Sequence, residues 1–116
     1  MEDKEEVEEI LDTIGDPQAR QILALLSQKP LSAKEIGEVL EFSLPTVYRR
    51  LDLLRDHELV RAETLVGENG NHYKVFQCNF DSTVISLEDA EYSIRVYRED
   101  SLPDRFASLW DDLAEE

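Results

Sequence analysis

Three observations predict an α+β protein in which helices come first and β-hairpins follow. Apolar residues recur with helical spacing through the first half of the chain. The period changes from 3.6 to 2 after His57. Helix-start signals are repeated along the chain, each a capping residue ahead of an apolar stripe. A length of 116 residues suits a single domain, with residues 7–78 as its core and 79–116 as an extension.

The elements follow in order. Val7, Ile10, Leu11 and Ile14 sit at i, i+3, i+4 and i+7, one stripe of a first helix that Gly15 stops. Asp16-Pro17 reads as an N-cap with proline at the first helical position, and Ala19, Ile22, Leu23 and Leu26 form the buried face of a second helix ending near Lys29-Pro30. Ser32 with Glu35 is a capping box for a third helix, whose apolar side is Ile36, Val39 and Leu40. Beyond a break at Glu41-Phe42, Ser43 caps a fourth helix with Pro45 in its first turn. Val47, Leu51 and Leu54 form its stripe, and the helix is expected over 44–57.

Leu59 to Val66 then reads as a strand, Gly67 to Asn71 as a turn, and His72 to Cys78 as the returning strand. Thr83 to Leu87 suggests another strand, with Tyr92, Ile94 and Val96 in its hairpin partner; a helix over 88–98 is the competing reading. Ser101-Leu102-Pro103-Asp104 opens a last helix with Phe106, Leu109, Trp110 and Leu113 on one face.

The net charge is −15, with 27 acidic against 12 basic residues. Such acidity argues against nucleic acid as a partner until its location is known, because phosphate contacts supply most non-specific affinity. Residues 1–16 carry −7, residues 17–75 are neutral, and residues 76–116 carry −8. The middle of the chain is a neutral module in an acidic frame. The longest apolar run, Ile22 to Leu26, falls far short of the ~20 residues of a membrane span. The acidic N-terminus is unlike a secretory leader, and the lone Cys78 permits no intramolecular disulfide. A cytoplasmic protein is expected.

Short helices followed by a hairpin with a Gly/Asn tip give the order of a winged helix-turn-helix. The stretch SAKEIGEVLEFSLPTVYRRLDLLRDHELVRAE, followed by GENGNHYKV, resembles the winged-helix DNA-binding domain of ArsR-like transcriptional regulators, over roughly residues 7–78. It departs at Glu58, where such domains usually carry a glycine. The resemblance implies a DNA-binding regulator with double-stranded DNA as its partner. Scarce lysine, four residues against eight arginines, and the acidic ends also resemble proteins of halophilic archaea.

In such a motif the second helix lies in the major groove with its N-terminal residues against base edges. With Val47 in the core, a step of about 100° per residue turns Pro45, Thr46 and Arg49 outward. Tyr48 and Arg50 then flank the buried stripe. Arg49 suits a guanine or a phosphate, Thr46 a thymine methyl group or a phosphate, and Tyr48 a phosphate or base edge. The bland alternative is that Arg49 and Arg50 form a solvated face paired with Asp52 and Glu38. Asn69, Asn71, His72 and Lys74 suit a wing on the flanking backbone or minor groove, although Asn-Gly also serves tight turns. Lys34 and Arg61 are candidate backbone clamps.

No metal, cofactor or enzymatic activity is expected. Relatives in the resembled family often hold metals through cysteines in the helix before the recognition helix, or through histidines and acids of a terminal helix. This chain has neither pattern, and Cys78, His57 and His72 are too few for an ordinary structural zinc site. No Gly-rich phosphate loop or nucleophile motif occurs. An effector of unknown identity is left open. Val7, Ile10, Leu11 and Ile14, with Phe106, Leu109, Trp110 and Leu113, are expected to form a homodimer interface with Trp110 near its centre. The alternative for Trp110 is packing within its own chain. The alternative function is a winged-helix protein-interaction module that does not touch DNA.

Overall fold

The computed structural model describes residues 4–98. Four helices are followed by two hairpins: α1 Lys4–Gly15, α2 Pro17–Leu26, α3 Ala33–Leu40, α4 Leu44–Asp56, β1 Val60–Val66, β2 His72–Cys78, β3 Ser82–Glu88 and β4 Glu91–Tyr97. This is a winged helix-turn-helix, α+β as the periodicity predicts. Phe106, Leu109, Trp110, Leu113 and the last helix expected around them lie outside the described residues.

The chain divides into two compact units, one ending at Cys78 and the other beginning at Asn79. In the first, α2 is the hub: it packs on α1, α3, α4 and β2. Ile22, Ile36, Val47, Leu51, Leu54 and Leu59 are its most deeply buried large side chains. The caps form as the sequence predicts. Asp16 Oδ2 accepts from Ala19 N at 2.9 Å, and Ser32 and Glu35 satisfy each other's backbone N–H groups. The second helix ends at Leu26, before the expected Lys29-Pro30. Val39, expected on the buried side of α3, is 60% exposed. In an eight-residue helix the contact surface reaches only Ala33, Ile36 and Gly37.

Each hairpin forms its own two-stranded antiparallel sheet. Val60 faces Cys78 and Val66 faces His72 in β1–β2, while Ser82 faces Tyr97 and Glu88 faces Glu91 in β3–β4. Residues 88–98 therefore include a strand rather than a helix, turned by Asp89 and Ala90 with φ of 52° and 65°. Leu31 adds a bridge that the sequence did not suggest. Its N–H and C=O exchange hydrogen bonds with Phe76 at 3.1 and 2.8 Å, tying the α2–α3 connection to the wing.

The departure at Glu58 has a structural meaning. Glu58 has φ 57°, the left-handed region that favours glycine. Its N–H donates to Arg55 O at 3.0 Å and that of Leu59 donates to Leu54 O at 2.9 Å, a Schellman termination of α4. Leu54 and Leu59, the two positions that the second of these bonds joins, are both fully buried. No helix among the described residues is long and apolar enough to cross a membrane.

Candidate nucleic-acid interface

The α3–α4 turn sets the direction of α4. Glu41 closes α3 in the left-handed conformation, with φ 60°. Phe42 N–H then donates to Gly37 O at 3.0 Å. A Cβ on Gly37 would lie 2.9 Å from Phe42 O and 3.7 Å from Val47 Cγ2. Gly37 is thus the point where the turn folds back onto α3. Ser43 begins α4, accepting from Thr46 N and donating to Thr46 Oγ1.

With Val47, Leu51 and Leu54 buried, α4 presents Pro45, Tyr48, Arg49 and Asp52 to solvent. Tyr48 is 50% exposed and Leu44 46% exposed, so the leading turn of α4 offers apolar as well as charged surface. Thr46 is half-buried and engaged with Ser43. Arg50 behaves differently from its neighbour. Its Nε donates to Asp16 Oδ2 at 2.7 Å, with the two side chains 23% and 29% exposed. Its partner is the α2 cap, not the Asp52 or Glu38 considered from sequence, and the contact anchors the back of α4 on α2.

A cleft of about 490 Å³ separates α4 from the wing. It brings together three residues singled out from sequence, Lys34, Tyr48 and Lys74. It adds two that sequence reasoning missed, Arg55 and Tyr73. Arg55 was legible as the position seven residues beyond Tyr48, two helical turns along the same face. Tyr73 lies between His72 and Lys74, and only the hairpin register directs it to the cleft. Arg55 also rests over the Phe76 ring, 5.9 Å from its centroid. Lys34, Arg55 and Lys74 outweigh Asp52, so this face is locally positive on an acidic protein.

At the wing tip Asn69, Gly70, Asn71 and His72 are exposed. Asn69 Oδ1 accepts from Asn71 N at 3.1 Å and Gly67 N–H donates to Asn71 O at 2.8 Å, so Asn69 is committed in part to shaping the turn. Arg61 lies opposite Gln77 in the β1–β2 pair. In the amide orientation that hydrogen bonding favours, Arg61 Nε donates to Gln77 Oε1 at 2.9 Å.

The residues of the expected homodimer interface divide. Val7 and Ile10 are 5% and 3% exposed, buried within the chain itself. Leu11 and Ile14 are half-buried. Among the described residues no group of three or more His, Cys, Asp or Glu side chains is placed to hold a metal ion. Cys78 is half-buried.

Residues 14–63, which run from the end of α1 through α2, α3 and α4 into β1, match the model of a helix-turn-helix domain family. No curated protein matches the chain in sequence. Two solved structures share the fold. The transcriptional regulator YodB from B. subtilis, in its reduced form, aligns with a TM-score of 0.55 and 22% identity over 67% of this chain and 74% of that one. A possible transcriptional regulator from Methanosarcina mazei Go1 aligns with a TM-score of 0.51 and 9% identity over 93% of this chain and 78% of its own. The chain thus carries a helix-turn-helix domain within a winged-helix fold shared with these proteins.

Proposed function

We propose that this protein is a sequence-specific, DNA-binding transcriptional regulator that acts as a homodimer. α4 enters the major groove, with Arg49, Pro45, Thr46 and Tyr48 towards base edges and phosphates. The wing, through Asn71, His72 and Lys74, follows the flanking backbone or minor groove, and Lys34 holds a phosphate at the start of α3. The observation that carries this reading is the face of α4 opposite its buried stripe. Pro45, Tyr48 and Arg49 are exposed there, beside a cleft where Lys34, Arg55 and Lys74 give the acidic chain a positive surface. The helix-turn-helix match over residues 14–63 supports the same conclusion.

The homodimer is inferred from the logic of half-sites, which symmetric regulators read about one helical turn apart. Leu11 and Ile14 of α1, with the apolar stripe Phe106, Leu109, Trp110 and Leu113, supply its contacts in this proposal. A halophilic setting also belongs to the proposal, on the strength of the −15 charge and the few lysines.

Genome-wide mapping of bound DNA, with size measurement of the free protein, tests the whole reading. The expected result is a recurrent palindrome and a particle of two chains. The absence of any enriched sequence, together with retained binding to a protein partner, would replace it with the interaction-module reading.

A further inference from the structure

The four strands differ in how their edges are guarded. An exposed strand edge invites a further strand, and proteins usually block one with charged side chains, proline or a bulge. Between their end residues β1 carries Arg61 and Glu63, β2 carries Lys74 and β4 carries Arg95. β3 has no such guard: Thr83-Val84-Ile85-Ser86-Leu87 is uncharged and free of proline. Its register with β4 runs from Ser82 to Glu88 without a bulge. β3 and β4 form a two-stranded sheet, and no third strand joins it among the described residues. Two strands alone are marginal in water and gain from a third. Ile85 and Leu87 are moreover 49% and 59% exposed.

The turn fixes which backbone groups of β3 point outward. Asp89 and Ala90 have φ of 52° and 65°, the two left-handed residues of a type I′ hairpin turn. Such a turn makes Glu88 and Glu91 a hydrogen-bonded pair, and antiparallel alternation extends that role to Ser86, Val84 and Ser82. The N–H and C=O groups of Thr83, Ile85 and Leu87 are thereby directed to the open edge. Ile85 is also the middle residue of the seven in β3. A second β3, antiparallel and with Ile85 facing Ile85, therefore overlaps the whole strand. Thr83 then faces Leu87 of the second copy, so outward backbone groups meet outward ones. Each Glu88 faces a Ser82, and no like charges oppose each other.

We propose that β3 pairs with β3 of a second copy of this chain, joining two hairpins into a four-stranded antiparallel sheet. The occupant is a second copy because one register satisfies two-fold symmetry, full overlap and backbone pairing together. Two chains of charge −15 repel, and β3 offers them an uncharged line of approach. The outer edges of the joined sheet are the β4 strands, whose Arg95 and Glu91 discourage further addition, so the assembly closes at two. On one face Thr83, Ile85 and Leu87 of both copies become neighbours. This inference rests on the proposed homodimer and gives it a contact beyond Leu11, Ile14 and the C-terminal stripe.

The test uses the full chain in about 2 M KCl, where repulsion between the acidic copies is screened. Sedimentation measures its size, and amide exchange by NMR is compared above and below the concentration at which dimers form. The expected result is a dimer in which the Thr83, Ile85 and Leu87 amides exchange at least tenfold more slowly than in the monomer. Oxidative cross-linking checks the register in a Cys78→Ser background. Facing residues of such a pair have Cα atoms about 5.5 Å apart, within disulfide range, whereas the two Leu87 residues are offset by about 14 Å along the strands. Ile85→Cys should therefore cross-link two chains at least tenfold faster than Leu87→Cys; both side chains are about half exposed, so the substitutions leave the fold intact. A dimer whose outward β3 amides stay unprotected, or that cross-links equally at both positions, would overturn this interface and leave the homodimer standing. A monomer at every concentration would overturn both.

Discussion

Arg49 and Arg50 are adjacent and chemically identical, yet the helix turns them to different tasks. Arg49 is exposed on the face opposite Val47, whereas Arg50 closes on Asp16 at 2.7 Å. Arg49→Ala should weaken operator binding by roughly 1–3 kcal/mol with little change in unfolding, as shown by gel-shift titration and urea melts. Arg50→Ala should lower stability by about 1 kcal/mol, because the pair is partly shielded and also fixes α4 on α2. The turn between α3 and α4 yields a pair of opposite signs. Gly37→Ala forces a methyl group to 2.9 Å from a backbone oxygen and should destabilise by about 1–3 kcal/mol. Glu41→Gly relieves a left-handed side-chain residue and should stabilise by about 0.5–1 kcal/mol, the strain relief exceeding glycine's added chain entropy. Urea unfolding of the two variants against the parent protein decides both.

At the scale of the element, the capping box of α3 has a consequence for pH. The Glu35 carboxyl is held below its ordinary value, chiefly by the Ser32 backbone N–H, then by the Ser32 hydroxyl, with Lys29 adding a smaller push. The folded state therefore binds the carboxylate form more strongly than the unfolded chain does. The stability this confers is present above the unfolded value, near pH 4.5, and is lost as pH falls through the lower folded value. Glu35→Gln should flatten that part of the acid limb in thermal melts followed by circular dichroism. An unchanged acid limb would show that other carboxylates govern it. The β3–β4 hairpin belongs to this scale too. Ile85 pairs with Ile94 and Leu87 with Tyr92 on one face, and Ile85, Leu87 and Tyr92 remain about half exposed. Strand alternation in the sequence favoured this element over a helix, and the cross-strand pairs show why the alternation is present.

For the whole molecule, the distribution of charge decides how binding responds to salt. The −7 and −8 lie in the two ends, and residues 17–75, which supply α2 to α4 and the wing, are neutral. The proposed contact surface includes few cations and several apolar or hydrogen-bonding groups, among them Pro45, Thr46 and Tyr48. Counterion release then contributes little. At about 1 M salt the screening length is roughly 3 Å, so the acidic ends repel DNA only weakly. Operator affinity should fall much less between about 0.5 and 2 M KCl than the steep dependence of a protein contacting many phosphates. Fluorescence titration over that range checks it, and a steep loss would remove the high-salt reading.

The sequence by itself determined the order of the elements, the caps at Asp16, Ser32 and Ser43, and the buried stripe of α4. These depend on interactions within a few residues, so they can be read from spacing alone. It also marked Glu58 as the odd residue where a glycine is usual in the resembled domains, without saying what conformation that position required. Helical phase already turned Arg49 outward and Arg50 to the flank; the tertiary structure decided Arg50's partner, because Asp16 lies thirty-four residues before it and only packing brings them together. It likewise tied Leu31 to Phe76, exposed Val39, and joined Arg55 and Tyr73 to Lys34, Tyr48 and Lys74. Each of these depends on contacts between elements distant in the chain, which periodicity within one element does not encode.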